Sequence, residues 1–289
     1  MVTDGESLYV LNCGAGRDGN VLKVPLSGLS DGGAAVAIDP RSTACGMGIT
    51  IDSAALYWIT TSAIMKFPLD GGASQRVGDY APTWWVATGN QQHSLTSDAD
   101  AIYFAVSGSG YVYGHSKTTG VTFTVAADGN ASNDGLIGMR GGDLYYTASG
   151  AAGEELRVVS KDGGVATRLA TLPPSPPSDL LVLNDGVYIA AEYGIVRVPF
   201  SGSAVQTVVR ANAGLLASDD ATLFWSNGWN VDGPHIFLRP LAGGPIENIP
   251  SEVASHSAPS TILTTPSLLM WTDLTAGGGL RWMPRSYRP

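Results

Sequence analysis

The chain has 289 residues, 44% of them apolar and 14% charged, with a net charge of −9 and four lysines. That length fits one large domain or two ordinary ones, and the acidic balance excludes nucleic acid and an anionic membrane surface as partners, because both require clustered cations. No apolar run of about eighteen residues occurs, and no basic start precedes an apolar stretch, so neither a membrane span nor a secretion signal is read. The 37 glycines, the many Ser and Thr and the scarcity of helix formers point to an all-β chain rich in turns.

Taken in order, the elements repeat. The turn "TDGES" leads into "LYV" at Leu8, then the irregular "LNCGAGRDGN" and the strand-like "VLKVPLSG". The second copy reads "IDSAA", "LYW" at Leu56 and "IMKFPLDGG"; the third reads "SDADA", "IYF" at Ile102 and "YVYGHSKTTG". The fourth reads "MRGGD", "LYY" at Leu144 and "LRVVSKDGG", and the fifth "LNDG", "VYI" at Val187 and "IVRVPFSG". "SDDAT", "LFW" at Leu223 and "IFLRPLAGG" form the sixth, and "LMW" at Leu269 with "LRWMPRS" the seventh. The central residues Tyr9, Tyr57, Tyr103, Tyr145, Tyr188, Phe224 and Met270 lie 48, 46, 42, 43, 36 and 46 positions apart. Each unit therefore predicts a strand, a tight turn, an aromatic strand, a variable loop, a third strand, a Gly-rich turn and a weaker outer strand such as "ATRLAT" or "QTVVRA".

A four-stranded unit of roughly 40 to 50 residues repeated in this way is the signature of a β-propeller blade. The expectation is a single seven-bladed β-propeller with blades at about 1–39, 46–80, 93–128, 135–172, 179–211, 214–250 and 260–289. "LYWIT…IMKFPLDGG" resembles the YWTD-type and related bacterial propeller repeats, and the resemblance covers the whole chain. The seventh copy ends after its third strand, which predicts either a three-stranded final blade or a chain trimmed at its start; trimming would place the protein outside the cytoplasm in its host.

With strands lettered A to D from the axis outward, the A-to-B and C-to-D turns share one face. They are short and uniform, as in "LDGG", "KDGG" and "LAGG", and read as scaffold. The D-to-A and B-to-C connections of the other face are long, polar and unequal, which is where function is usually carried. Counting back ten to twelve positions from each aromatic anchor reaches the mouth of strand A and gives Cys45 and Met47, His93, Asn133 and Asp134, Asp179, Asn212 and Ser260. If the fifth blade's turn is one residue shorter, Asp179 aligns with His93. Such a set of oxygens with one imidazole suits Ca²⁺, Mg²⁺ or Mn²⁺ better than Zn²⁺.

This arrangement resembles the metal funnel of the gluconolactonase and paraoxonase-like propellers. The resemblance implies a divalent cation, Ca²⁺ first, held by Asn133, Asp134, Asp179 and Asn212, with His93 as the base that activates water for hydrolysis of a lactone, aryl ester or phosphotriester. The bland reading is that these Asp and Asn residues cap loop turns and that His93 is a hydrogen-bonded structural residue. No G-x-S-x-G elbow, H-E-x-x-H or phosphate loop competes with the cation site.

Trp84, Trp85 and Trp229 fall in the irregular loops of the D-to-A and B-to-C face, where exposed indoles would wall a substrate or stack on a sugar; covering their own loops is the other reading. His235 follows "NVDGP" in a B-to-C loop and is within reach of the same funnel or serves the surface. Cys13 and Cys45 lie on that face between adjacent blades, so a disulfide and two buried thiols are both open. The alternative function is a non-catalytic extracytoplasmic module that binds a glycan or a protein. The expected ligand is a small neutral molecule or glycan, and the expected state is a monomer.

Overall fold

Each copy of the aromatic phrase becomes the second strand of an antiparallel sheet, because Val, Ile, Leu and aromatic side chains suit a pleated surface buried on both faces. The computed structural model describes residues 1–13, 19–31, 35–38, 48–60, 62–79, 93–128, 132–202, 204–227, 236–249, 259–273 and 279–285. In the first blade β1 (Val2–Thr3), β2 (Ser7–Cys13), β3 (Gly19–Pro25) and β4 (Val36–Ala37) pair in order. β5 (Gly48–Ile51), β6 (Ala55–Ile59), β7 (Ala63–Pro68) and β8 (Gln75–Asp79) make the second, and β9 (Leu95–Ser97), β10 (Ala101–Ala105), β11 (Tyr111–Ser116) and β12 (Thr122–Ala127) the third. The fourth holds β13 (Ser132–Arg140), β14 (Asp143–Gly150), β15 (Gly153–Ser160) and β16 (Thr167–Thr171). The fifth holds β17 (Asp179–Leu183), β18 (Gly186–Ala191), β19 (Gly194–Val198) and β20 (Gln206–Val209). β21 (Leu216–Ser218), β22 (Thr222–Ser226), β23 (Ile236–Pro240) and β24 (Glu247–Asn248) form the sixth, while β25 (Pro259–Thr264), β26 (Leu268–Asp273) and β27 (Gly279–Pro284) form a three-stranded seventh.

The chain is thus an all-β seven-bladed propeller whose last blade has three strands. Its compact units are Met1–Ala151 with Arg157–Thr167, and Ala152–Leu156 with Arg168–Pro289.

One register runs through every blade. The anchors pair with the first strand as Tyr9 with Val2, Tyr57 with Thr50, Tyr103 with Thr96 and Tyr145 with Gly138. Tyr188 pairs with Leu181, Phe224 with Ala217 and Met270 with Leu263, so the A-to-B turn has the same length throughout. Asp side chains set that turn: Asp52 Oδ1 accepts from the amides of Ala54 and Ala55, Asp98 Oδ1 from Asp100 and Ala101, and Asp219 Oδ1 from Ala221 and Thr222. Each carboxylate does in its loop what a backbone carbonyl does in a turn. The Gly-rich C-to-D turns need left-handed backbone, and Gly71 and Gly72 supply it at φ +110° and +119°.

Adjacent blades bury their apolar faces against each other. Leu56, Trp58, Tyr9 and Val21 pack between the first two blades, and Ala101, Tyr103, Ile137 and Tyr146 between the third and fourth. Trp225 joins the fifth to the sixth blade and Trp271 the sixth to the seventh. Full burial of each such large side chain contributes about 1.5–3 kcal/mol.

Two polar devices recur at these seams. The residue just after the third strand reaches back to the preceding blade's turn Asp: Lys117 Nζ is 2.5 Å from Asp52 Oδ2, Lys161 Nζ is 2.7 Å from Asp98 Oδ2, and Arg285 pairs with Asp219. In the first two blades the same position holds Leu26 and Leu69, and Leu69 packs in the apolar cluster around Tyr9. The second device uses the outer strand, which bulges at Val77, Val125 and Val208 in the second, third and fifth blades. Arg239 Nη1 donates to the Val208 carbonyl. His115, at the equivalent position two residues before Lys117, sets its imidazole beside the Val77 carbonyl and against Gly78, where a Cβ would come within 2.4 Å of Cε1. The glycine makes room for the ring.

Candidate functional site

The strand-A mouths are described for the blades that carry His93, Asn133, Asp134, Asp179, Asn212 and Ser260. Trp84, Trp85, Trp229, His235 and Cys45 lie outside the described residues, as do the Cys13 and Asn133 side chains, so the disulfide does too.

His93 stands just ahead of β9, half-buried, and its carbonyl accepts from the Ile137 amide of β13 at 2.8 Å. That bond ties the third blade's mouth to the fourth's. In β13 the ladder to β14 breaks: Asn133 pairs with Ala148 and Ile137 with Tyr146, so Asp134, Gly135 and Leu136 face Thr147 alone. Two residues are therefore extra, and Gly135 absorbs the distortion at φ +84°. The bulge moves Asn133 to the level that His93 occupies in the neighbouring blade, since Asn133 stands opposite Ala148, three beyond its anchor, as His93 precedes a strand paired in the same register. Asp134 opens the bulge, half-buried, with Oδ2 shielded from solvent. Bulges of this kind re-aim side chains and are common beside active sites. The Asn-Asp-Gly triplet ahead of an apolar run is the sequence signal for it.

In the second compact unit the acid plays a different part. Asp179 is fully buried; Oδ1 accepts from the Leu180 amide at 2.9 Å and Oδ2 from the Leu216 amide at 2.7 Å. It staples the first strand of the fifth blade to that of the sixth. Ser178 Oγ reinforces the seam by donating to the Ala213 carbonyl, 2.9 Å away, next to the half-buried Asn212. Asp179 does not align with His93. The uniform turn places it nine residues before its anchor, where the third blade has Ser94 and the second has Gly48. Alignment with His93 required a shorter fifth turn, and that turn has the common length. The Ser260 and Thr272 hydroxyls share one hydrogen bond, at 2.5 Å between the oxygens.

The structure thus ties the His93 backbone by one hydrogen bond to β13, the strand that carries Asn133 and Asp134, within one unit. Among the described residues no three His, Cys, Asp or Glu side chains form a metal-binding group; the bulge offers the Asp134 carboxylate and backbone oxygens, donors of the kind a hard cation takes.

No protein-family model and no curated protein matches the chain. Among solved structures it is similar to a streptogramin B lyase, at 11% identity over 98% of this chain and 91% of that one, with a TM-score of 0.73. An oligogalacturonate lyase from Vibrio parahaemolyticus matches at 11% identity, 99% and 88% coverage and a TM-score of 0.67. A nidogen/laminin complex matches at 15% identity, 83% and 93% coverage and a TM-score of 0.56. At such identities the likeness is one of architecture, and it agrees with the strand order: the chain has the propeller fold that these proteins share.

Proposed function

We propose that the chain is a divalent-cation-dependent hydrolase of lactone, aryl ester or phosphotriester bonds in small neutral molecules, working at the mouths of the third and fourth blades. The observation that supports this reading is the two-residue bulge of β13, which brings the Asn133 backbone level with that of His93, with Asp134 next along the strand. A regular strand would need no such distortion, and the left-handed Gly135 is a local cost that a functional carboxylate accounts for.

Asp134 and Asn133 would hold the cation, Ca²⁺ suiting the oxygen donors, with water completing its shell. When bound, the cation supplies polarisation of the scissile group's oxygen. His93 takes the proton from the attacking water and returns it to the leaving oxygen. The His93 carbonyl, fixed by Ile137, keeps the backbone that carries the imidazole at the level of Asn133.

Elimination is the second reading. Two of the similar structures are named as lyases, and a base beside a cation-held oxygen serves proton abstraction as well as water activation. The experiment is calorimetric titration with Ca²⁺ and Mn²⁺ together with turnover of a panel of lactones, aryl esters, phosphotriesters and uronate oligomers. Hydrolysis abolished by chelator and by Asp134→Asn supports the first reading, and an unsaturated product supports the second. A wild type with neither cation binding nor turnover would remove both, leaving the glycan- or protein-binding module.

A further inference from the structure

The outer strand of a blade leaves one edge of its sheet open, and proteins protect such edges with charge, Pro, short length or a bulge. β12 is the longest outer strand among the described residues, six residues against two to five in the others. It stands at the end of its sheet, next to β11. β8 and β16 expose the charges of Arg76, Asp79 and Arg168, and exposed Arg210 directly follows β20, whereas residues 118–127 carry no charge. The charges that flank this strip are turned into the fold, Lys117 onto Asp52 and Asp128 onto Arg157. The bulge comes late, at Val125; Thr122, Phe123 and Thr124 pair regularly with His115, Gly114 and Tyr113, and all three are exposed. Val121, just before them, is 59% exposed. The Phe123 ring lies against Gly114, where a Cβ would come within 2.3 Å of its Cζ, so the ring is seated on the sheet at its open edge. An uncharged edge of β-branched and aromatic residues is what strand addition uses.

We infer that β12 is a self-association edge: the same strand of a second copy of this chain adds to it antiparallel, across a two-fold axis centred on Phe123. That register sets Phe123 opposite the partner's Phe123 and Thr122 opposite the partner's Thr124, aromatic and Thr–Thr pairs that each favour an antiparallel ladder. A two-fold contact pairs a surface with itself. The net charge of −9 opposes contact between copies, and does so least along a strip that carries no charge. One strand pair buries a small area, so the dimer is weak and concentration-dependent. The inference is independent of the cation site and replaces the monomer expected from the sequence.

Sedimentation over a concentration series tests it, with thermal midpoints as the check on folding. The wild type is expected to move with concentration toward twice the 29.9 kDa mass of the chain. Phe123→Lys sets like charges directly opposite each other at the two-fold axis and is expected to weaken dimerisation by about 10-fold or more, as is Phe123→Glu, while an equimolar mixture of the two variants recovers the dimer. Thr124→Lys, at an exposed position, is expected to weaken it as well and decides the matter if the Phe123 variants fail to fold. A wild type that stays monomeric up to about 1 mM overturns the inference. So does a dimer that neither Phe123→Lys nor Thr124→Lys weakens, because the contact would then lie on another surface.

Discussion

Lys117 of the third blade lies 2.5 Å from the Asp52 carboxylate of the second, and its Nζ also sits 4.8 Å from the centre of the Tyr57 ring. The ammonium is at once paired, stacked on an aromatic face and hydrogen-bonded to the Asp98 carbonyl. Its side chain is 8% exposed. Such a group is held by geometry rather than by mere proximity, because removing one partner leaves the other charge half out of water.

Lys117→Met is therefore expected to destabilise the protein by about 1–3 kcal/mol, below the full cost for a deeply buried pair because Asp52 retains some exposure. Urea unfolding checks it. A double substitution of Lys117→Met with Asp52→Asn should recover part of the loss, and strict additivity of the two would show that the pair contributes no coupling.

Asp98 has a depressed pKa. Burial alone would raise it, and hydrogen bonds from Lys161 and from the Ala101 and Asp100 amides outweigh that effect. A carboxyl whose folded pKa lies below its unfolded value of 3.8 contributes stability that is present above that value and lost as pH falls through the folded pKa. Stability should hold near neutrality and decline below about pH 4. Asp98→Asn should flatten that decline, as read from urea midpoints between about pH 3 and 6; an unchanged profile would assign the acid sensitivity to other carboxyls.

His115 titrates with the same sign but from a different balance of causes. Burial lowers its pKa from 6.5, partly offset by the Val77 carbonyl, so the folded chain holds the ring neutral. Below pH 6.5 the unfolded state binds the proton that the folded state refuses, and stability falls until the folded pKa is passed. The groups set against the ring are the Thr122 hydroxyl, 3.1 Å from Nδ1, together with Gly78 and the Val77 carbonyl. His115→Gln should remove the slope that begins below pH 6.5. Gly78→Ala should cost roughly 1–3 kcal/mol by forcing a methyl into the imidazole, and a thermal midpoint equal to wild type would show that the seam relaxes freely.

The fold was legible because its signals are periodic: seven anchors, six aromatic and Met270, recur at repeat spacing with turn Asp residues and Gly pairs, and each has a local cause in strand burial or turn geometry. The site was legible only in part. Counting back along the chain finds His93 and Asn133, yet it assumes an unbroken strand, and the bulge at Asp134 changes which residues stand level. Asp179 is a ligand by residue type; the hydrogen bond its Oδ2 accepts from the Leu216 amide comes from the meeting of two strands distant in sequence, which no local pattern records. His115 and Arg239 share a repeat position but not a chemistry, so their common use of a bulge carbonyl emerges only from pairing.

Gly135 separates architecture from function in the bulge. Its φ of +84° disfavours any side chain, and Gly141, in the A-to-B turn of the same blade, has φ +64° with open space where an alanine methyl would stand. Alanine at either position costs about 1 kcal/mol for left-handed backbone. If the bulge serves only the strand, the two substitutions should behave alike, with matched losses in thermal midpoint and no effect on ligand binding. If it aims Asp134, Gly135→Ala should in addition weaken Ca²⁺ binding by about 10-fold or more, since a displaced ligand carboxylate loses more than strain, while Gly141→Ala leaves it unchanged. Calorimetric titration of the pair, with His93→Gln as a variant that keeps the cation but loses turnover by roughly 10²- to 10⁴-fold, distinguishes the outcomes, and equal Ca²⁺ affinities for the two alanine variants would detach the bulge from cation binding.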